Sequence, residues 1–221
     1  MSVYKQLLIF NCLFIKQTTE ITMRTIKIAG ILFIVLFVLV QSYMIMATNR
    51  TEQQKYKVIQ TEKEFEIRFY PSATFATIQS EAKTYKELSS PGFRQLAGYI
   101  FGGNEANKQI SMTSPVHMDV NDTTSSMSFV MPSDYDTSNL PKPNNANVKI
   151  SKSEDEYVAV LRFGGYANDK ELKLNSAKLQ KLLSEKGIKT YGHYRYLGYN
   201  PPYQIFGRRN EIIVSVEWKT E

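Results

Sequence analysis

The pattern of apolar and polar residues separates one uninterrupted apolar run from a long region of alternating segments. Residues 28–47 carry no charge, and their polar groups are confined to Gln41, Ser42 and Tyr43. At about 1.5 Å per residue, a helix of that length spans a hydrocarbon core of roughly 30 Å. A soluble core helix would show a polar face, which this run lacks. The pattern predicts a transmembrane anchor over 28–47, with a cleaved signal peptide as the alternative.

Basic residues flank this run on both sides, so charge alone gives a weak orientation. Residues 1–27 form a leader before the run, and residues 48–55 form a polar tether after it. A single N-terminal apolar segment usually exports the domain that follows. We therefore expect a single-pass membrane protein whose folded domain, residues 56–221, lies on the non-cytoplasmic side. The stretch from Met23 is typical of a signal n-region, so we expect translation to start there, with residues 1–22 an over-extended reading of the start.

Apolar and polar residues alternate with a period of two after the tether. Phe65, Ile67 and Phe69 alternate with Glu66 and Arg68, which is typical of a half-buried strand. Comparable apolar segments bounded by polar turns predict further strands. These strands are expected around Val58, at 75–80, at 112–120 and at 127–131.

Residues 85–101 have a helical pattern. Ser90 and Pro91 suit an N-cap and a first helical position, so the regular helix is expected to start at this pair. The glycines at 102 and 103 end the helix, because glycine adopts the backbone conformation that closes many helices.

A second helix is expected after Asn168. The side chain of Asn168 suits an N-cap, and Glu171 three residues later completes a capping box. Gly187 ends this helix. Its apolar stripe consists of Leu172, Leu179, Leu182 and Leu183.

The order of elements repeats along the chain. Residues 148–160 can be laid beside 58–68, and each half then runs through strand, acidic turn, strand, glycine-ended helix and further strands. This order predicts an α+β fold: a distorted antiparallel β-barrel built from two pseudo-twofold βαββ repeats, with two flanking helices. Closing the two halves on each other would remove exposed strand edges.

Charge and composition exclude several classes of function. The net charge is +6, and it falls to +3 without residues 1–47, which hold four basic residues and one acidic residue. That charge is too small and too scattered to indicate nucleic-acid binding. Cys12 is the one cysteine, so a disulfide framework within a monomer is excluded. Motifs for metal ligation, phosphate binding and nucleophilic catalysis are lacking, so we expect neither a catalytic nor a metal site.

Four strings in the folded region resemble the SOUL/heme-binding protein family. They are FEIRFY at 65–70, MTSPV at 112–116, FGGYA at 163–167, and GYNPP with GRRNE between 198 and 211. In this order they cover the folded part from about Tyr56 to Trp218. The resemblance implies the same fold and the non-covalent binding of heme or another tetrapyrrole, although a fold by itself does not fix a ligand.

Some members of that family have a histidine where this chain has Phe69, and that histidine is regarded as an axial iron ligand. Phe69 cannot coordinate iron, so the resemblance implies a member that holds its ligand mainly by apolar contacts. The chain has two histidines, His117 and His193. We expect both on the solvent side of strands, with iron ligation as the less favoured interpretation.

A porphyrin offers a flat apolar face and two carboxylates, so its site needs aromatic surface and basic donors at one rim. Ordinary packing against the sheet is the alternative for the helix residues, and bonds to the backbone or to Glu211 are the alternative for the two last arginines. The candidate residues are Phe93, Arg94, Ala97, Phe101, Met112, Tyr199, Tyr203, Phe206, Arg208 and Arg209.

Two other functions remain open from the sequence. One is a binding module for a different flat amphipathic small molecule, as in effector-binding domains of similar architecture. The other is a small hydrolase or a tetrapyrrole-modifying enzyme, which would require a polar cluster inside the mouth of the barrel.

Overall fold

A computed structural model describes the backbone of residues 2–218 and the side chains of residues 22–218. Helix α1 (Ser2–Arg50) comes first, and the chain divides after Met46 into two compact units. Within α1, Thr22–Arg50 is long and apolar enough to cross a membrane, as a signal sequence near an N-terminus also is.

The second unit contains a large sheet and two helices. Its elements in chain order are β1 (Glu52–Gln53), β2 (Lys57–Thr61), β3 (Glu66–Tyr70), β4 (Thr74–Ser80), α2 (Tyr85–Ile100), β5 (Thr113–Ser114), β6 (Val116–Asp119), β7 (Ser125–Val130), β8 (Lys149–Lys152), β9 (Glu156–Phe163), α3 (Asp169–Glu185), β10 (Thr190–Gly198) and β11 (Asn210–Val216).

Nine strands form one antiparallel sheet in the order β2-β3-β9-β11-β10-β6-β7-β4-β8, and β1 pairs separately with β5. The predicted α+β class is confirmed. The sheet is open, because the edge strands β2 and β8 do not pair with each other within the described residues. The predicted barrel closure is therefore corrected. Both edges are short and carry lysines, namely Lys57, Lys149 and Lys152, and such charges discourage edge-to-edge association without closure.

The strand order reads the same from both sides of the central β10–β6 pair. On one side the order is β9-β11-β10, and on the other it is β4-β7-β6. Each triplet follows the chain order strand, helix, strand, strand. This order makes β4 the counterpart of β9, whereas the sequence comparison aligned β9 with β3. The pseudo-twofold repeat itself stays a prediction.

Helix α2 begins six residues earlier than the Ser90–Pro91 pair predicted. The Thr84 side chain caps it by accepting from the backbone N–H of Glu87 at 3.2 Å. This earlier start buries Leu88, which is 1% exposed. Burial of a leucine and a satisfied cap together offset the backbone hydrogen bond that Pro91 cannot donate inside the helix.

The predicted C-terminal ends of both helices and the predicted N-cap of α3 are confirmed. Gly102 has a positive φ of 106°, and the backbone N–H of Gly103 closes α2 by donating to the carbonyl of Gly98 at 2.9 Å. For α3, the side chain of Asn168 accepts from the N–H of Glu171 at 3.0 Å. Gly187 ends α3 with a φ of 67°.

Both faces of the sheet are covered. Helices α2 and α3 pack on one face and build the larger core, which includes Leu96, Phe129 and Leu179. The opposite face carries a smaller core of Tyr70, Val158, Val160, Leu197, Tyr199 and Ile213, packed against Tyr56. Residues 48–55, predicted as a short polar tether, also contact the sheet, since Gln54 Oε1 lies 2.7 Å from His117 Nε2 on β6.

Candidate ligand-binding site

Four of the ten candidate residues lie on α2 or directly after it. Ala97 is buried, whereas Phe93 is 40% exposed and Phe101 is 64% exposed. Arg94 is exposed as well. The ring of Phe93 packs on Phe129 of β7 with 5.2 Å between centroids. The helix therefore presents two aromatic side chains and one guanidinium to solvent.

The loop between β10 and β11, residues 199–209, presents the other exposed candidates. Tyr203 is 60% exposed and Phe206 is 57% exposed. Ile205 in the same loop and Tyr166 in the loop before α3 are exposed as well. We call these four residues the aromatic loop cluster. Exposed apolar side chains grouped in this way mark a surface that binds something.

Arg208 joins the two loops that carry this cluster. Its Nε donates to the carbonyl of Gly165 at 3.1 Å. Its Nη1 donates to the carbonyls of Pro201 at 2.7 Å and Gln204 at 2.8 Å. The guanidinium also lies 4.3 Å from the ring centroid of Tyr166. Arg208 thus fixes the loops through backbone bonds, which is the structural alternative that the sequence left open.

The strand register brings α2 and the loop to the same end of the sheet. Phe129 on β7 pairs with Val116 on β6, and Val116 pairs with Gly198 at the end of β10. Phe93 lies over Phe129, and the loop starts directly after Gly198. Because neighbouring strands are about 4.8 Å apart, the backbones of Phe129 and Gly198 lie roughly 10 Å apart across β6. The strand that carries the contact of Phe93 and the start of the loop are therefore separated by one strand, β6.

Tyr199 and Arg209 lie on the opposite face of the sheet. The hydroxyl of Tyr199 donates to Glu211 Oε2 at 2.7 Å. Arg209 Nε donates to Glu211 Oε1 at 2.9 Å, and its guanidinium lies 3.8 Å from the ring centroid of Tyr199. The sequence grouped both residues with Phe93. The structure separates them, because the period of two along the strands turns them away from the helices.

Glu211 is the centre of a buried polar group that also includes Arg68, Tyr70, Tyr199 and Arg209; we call it the Glu211 cluster. Burial alone would lower the pKa of Arg68, but the adjacent Glu211 carboxylate raises it above its ordinary value. Burial raises the pKa of Tyr199, and the charge of Glu211 adds to the shift. Burial likewise raises the pKa of Tyr70 to about 12. Both phenols stay protonated at neutral pH.

His117 is buried, so its predicted solvent-side position is wrong. Its Nε2 lies 2.7 Å from Gln54 Oε1, and its ring packs edge-on against Phe75. Gln54 belongs to the segment that covers this face of the sheet, which the local strand pattern could not reveal. Burial lowers the pKa of His117 to about 3, so the neutral ring donates from Nε2 to Gln54. His193 is exposed, as predicted, and lies 3.4 Å from Asp119 Oδ2.

Met112 is half-buried and packs against the larger core. Phe69 packs on Tyr157 with 5.0 Å between ring centroids. Within residues 22–218, no group of three or more His, Cys, Asp or Glu side chains could hold a metal ion.

Two concavities in the described part of the chain do not coincide with most of the candidate residues. One of about 260 Å³ lies beside the segment after α1, between Gln54, Thr74 and Met131. The other, of about 530 Å³, is an open groove along β3 and β9 that Arg209 lines. The other nine candidate residues line neither of them. A ligand held by Phe93 and the loop would therefore lie on an open surface.

Sequence reasoning missed Tyr166, Ile205 and, apart from the alternative of a bond between an arginine and Glu211, the Glu211 cluster. Tyr166 lies in the FGGYA string but was given no role. Ile205 lies between Gln204 and Phe206 and was given no role either. For Glu211 a signal was present. It opens a segment, EIIVSV, whose apolar run predicts burial on both faces, and a carboxylate in such a strand needs a partner.

The model of the SOUL heme-binding protein family matches residues 51–215. Heme-binding protein 1 of Xenopus laevis is 31% identical over 155 residues, which cover 67% of this chain and 81% of that protein. Heme-binding protein 2 of Homo sapiens is 29% identical over 157 residues, which cover 67% of this chain and 76% of that protein.

Solved structures share the fold at low sequence identity. The EcmrR C-terminal domain matches with a TM-score of 0.51 and 11% identity, covering 74% of this chain and 99% of that domain. A hydrolase from Listeria innocua matches with a TM-score of 0.50 and 10% identity, covering 72% of this chain and 94% of that protein. At these identities the likeness concerns the fold alone.

Proposed function

Because this chain belongs to the SOUL heme-binding protein family, we propose that it binds heme or a related tetrapyrrole non-covalently, as a binding protein without catalytic activity. The observation that carries the proposal is the exposed aromatic surface of Phe93 and the aromatic loop cluster, which the strand register brings to one end of the sheet. The printed names of the relatives, Heme-binding protein 1 and 2, support the same ligand class.

The ligand plane would stand over β6 at the end of the sheet. Phe93 would contact one face of the macrocycle, and Phe206 with Tyr203 would contact the other. Phe101, directly after α2, and Met112 would contact the apolar rim of the ligand. The small side chain of Ala97 would let the ligand approach α2 closely. With Phe69 in place of the histidine, apolar contact supplies most of the binding free energy.

The propionates need cations, and the two arginines near this surface differ in availability. Arg208 donates to three backbone carbonyls, so its main role is to hold the loop in shape. Arg94 is exposed on α2, beside Phe93, and is the better propionate partner. Tyr199 and Arg209 act from the far face by fixing the root of the loop.

The test is a titration of hemin followed at the Soret band, with the full chain in lipid nanodiscs and empty nanodiscs as the reference. Phe93→Ser and Phe206→Ser should each weaken binding by roughly ten-fold, because a lost aromatic contact costs about 1–2 kcal/mol. Arg94→Gln should weaken it less.

Tyr191→Ser is the matched control. Tyr191 is 53% exposed and lies at the other end of β10, about 25 Å from the loop at 3.3 Å per residue. Its replacement should leave the affinity unchanged. Saturable binding that Tyr191→Ser and Phe206→Ser weaken equally, or no saturable Soret change at all, would refute the proposed site.

We further propose that residues 28–47 anchor the protein as a single membrane span, with the folded unit that follows on the non-cytoplasmic side. The length and apolar character of Thr22–Arg50 support the span. Protease added to intact spheroplasts or vesicles of known orientation tests the side. Protection of the folded unit until the membrane is permeabilised would contradict the proposed orientation.

A further inference from the structure

The residues that follow the predicted membrane span form hydrogen bonds within the folded unit. Thr48 comes directly after residue 47, where the apolar run ends, and its hydroxyl donates to Gln204 Oε1 in the loop at 2.8 Å. Four residues later β1 pairs with β5, and the backbone N–H of Gln54 donates to the carbonyl of Ser114 at 2.8 Å. The folded unit is thus bonded to the chain from the first residue after the apolar run.

The hydrogen bond between Thr48 and Gln204 keeps the loop close to the end of the apolar run. Tyr203, Ile205 and Phe206 lie one or two residues from Gln204, which places their Cα atoms within about 8 Å of it at 3.8 Å per residue. The headgroup layer on each side of a bilayer is itself about 5–8 Å thick. With a span that ends at residue 47, as proposed above, a loop bonded to Thr48 would be within reach of the headgroups.

The chemistry of the loop suits that position. Tyr203 and Phe206 are aromatic and more than half exposed, and aromatic side chains are enriched at both membrane interfaces. Residues 199–209 contain two arginines and no acidic residue, so anionic headgroups would not be repelled. Exposed apolar side chains grouped in this way mark membrane contacts as well as ligand sites.

We propose that the aromatic loop cluster inserts into the headgroup region of the membrane that holds the chain. The proposal rests on the membrane anchor proposed above and goes beyond tetrapyrrole binding. It would place the exposed aromatic surface proposed for the ligand beside the lipid, so that an apolar ligand could reach Phe206 from the bilayer without crossing water.

The test places a tryptophan in the loop of the full chain. The one native tryptophan, Trp218, is replaced by phenylalanine, and Phe206→Trp is added. The protein is reconstituted without hemin into phosphatidylcholine vesicles with or without brominated acyl chains. The expected result is a blue-shifted emission that loses intensity in brominated vesicles.

Tyr191→Trp in the same Trp218→Phe background is the matched control and should not be quenched. Tyr203→Trp repeats the measurement if Phe206→Trp fails to fold. Vesicle flotation separates the two proposals: a chain that does not float with lipid overturns both the anchor and the loop contact. A chain that floats overturns the loop contact alone if quenching is absent or equal at 206 and 191. A blue shift without bromine quenching indicates contact with protein and also overturns it.

Discussion

Glu211 and Arg68 form a bidentate ion pair on the face of the sheet opposite the helices. Arg68 Nη1 donates to Glu211 Oε2 at 3.0 Å, and Nη2 donates to Oε1 at 3.2 Å. The two residues are 143 positions apart in the chain, and Arg68 is 4% exposed while Glu211 is fully buried. The pair joins β3 to β11 across β9, so its loss would affect three neighbouring strands.

Replacing Glu211 by Gln should destabilise the folded unit strongly. The amide keeps the shape but leaves Arg209 without its carboxylate partner and leaves the buried Arg68 paired with Glu66 alone, and breaking a buried ion pair typically costs about 3–5 kcal/mol. Chemical denaturation at neutral pH measures the change. Glu156→Gln is the control, because Glu156 pairs with Arg195 in a partly exposed setting and should cost about 1 kcal/mol or less. Equal losses for both variants would contradict a special role for the buried pair.

His117 makes the folded unit sensitive to acid. Its pKa is about 3 in the folded protein, against an ordinary value of 6.5. Between these values the unfolded chain binds a proton that the folded chain rejects, so stability falls as the pH drops from about 6.5 towards 3, by up to about 1.4 kcal/mol per pH unit.

Urea unfolding at a series of pH values measures this dependence. His117→Gln should flatten the slope in that window, whatever its effect at neutral pH. His193→Gln, which replaces the exposed histidine, is the control variant. A slope that survives in His117→Gln would show that other groups cause the acid sensitivity.

Arg208→Lys should loosen the loop between β10 and β11. Lysine cannot reproduce the planar donor set that Arg208 directs at three carbonyls, so we expect a loss of about 1–3 kcal/mol. Hydrogen exchange should become faster in residues 163–167 and 199–207. Arg94→Lys, on the exposed face of α2, should change stability by less than about 0.5 kcal/mol. Unchanged exchange in Arg208→Lys would contradict the role given to the guanidinium.

Gly98 and Gly103 should respond in opposite ways to alanine. A Cβ at 103 would lie 2.5 Å from the carbonyl oxygen of Gly98, whereas a Cβ at 98 meets nothing within 4 Å. Gly103→Ala should therefore cost about 2 kcal/mol through a steric clash with backbone. Gly98→Ala, inside α2, should stabilise by about 0.5–1 kcal/mol. Melting curves of the two variants give the sign directly, and a shift in the same direction for both would refute the argument.

The helix ends show where sequence patterns succeed. Asn168 and Gly187 bound α3 as predicted, because capping depends on residues within one turn of the cap. For α2 the helical pattern over 85–101 is confirmed, but the predicted cap at Ser90 was wrong although Ser90 and Pro91 satisfy the local rule, because the earlier start buries Leu88. The pattern favoured the local cap, and tertiary packing overrode it.

The candidate site shows the corresponding limit. Phe93, Tyr203 and Phe206 were chosen from their residue types; the structure keeps them exposed, and their role in binding stays a prediction. The pairing of Glu211 with Arg68 spans most of the folded unit and leaves no local pattern, so the sequence could not show it. His117 was misplaced for the same reason, since its cover, Gln54, comes from the segment after α1.

The strand order has a consequence for how the two halves depend on each other. β3 precedes the first triplet in the chain but hydrogen-bonds to β9 of the second, and β8 precedes the second triplet but hydrogen-bonds to β4 of the first. Each triplet is therefore paired with a strand that precedes the other triplet in the chain. Separating the two triplets would break the hydrogen bonds between β3 and β9 and between β4 and β8. We therefore expect the folded unit to resist proteolytic or mechanical separation into two parts and to unfold in a single cooperative step.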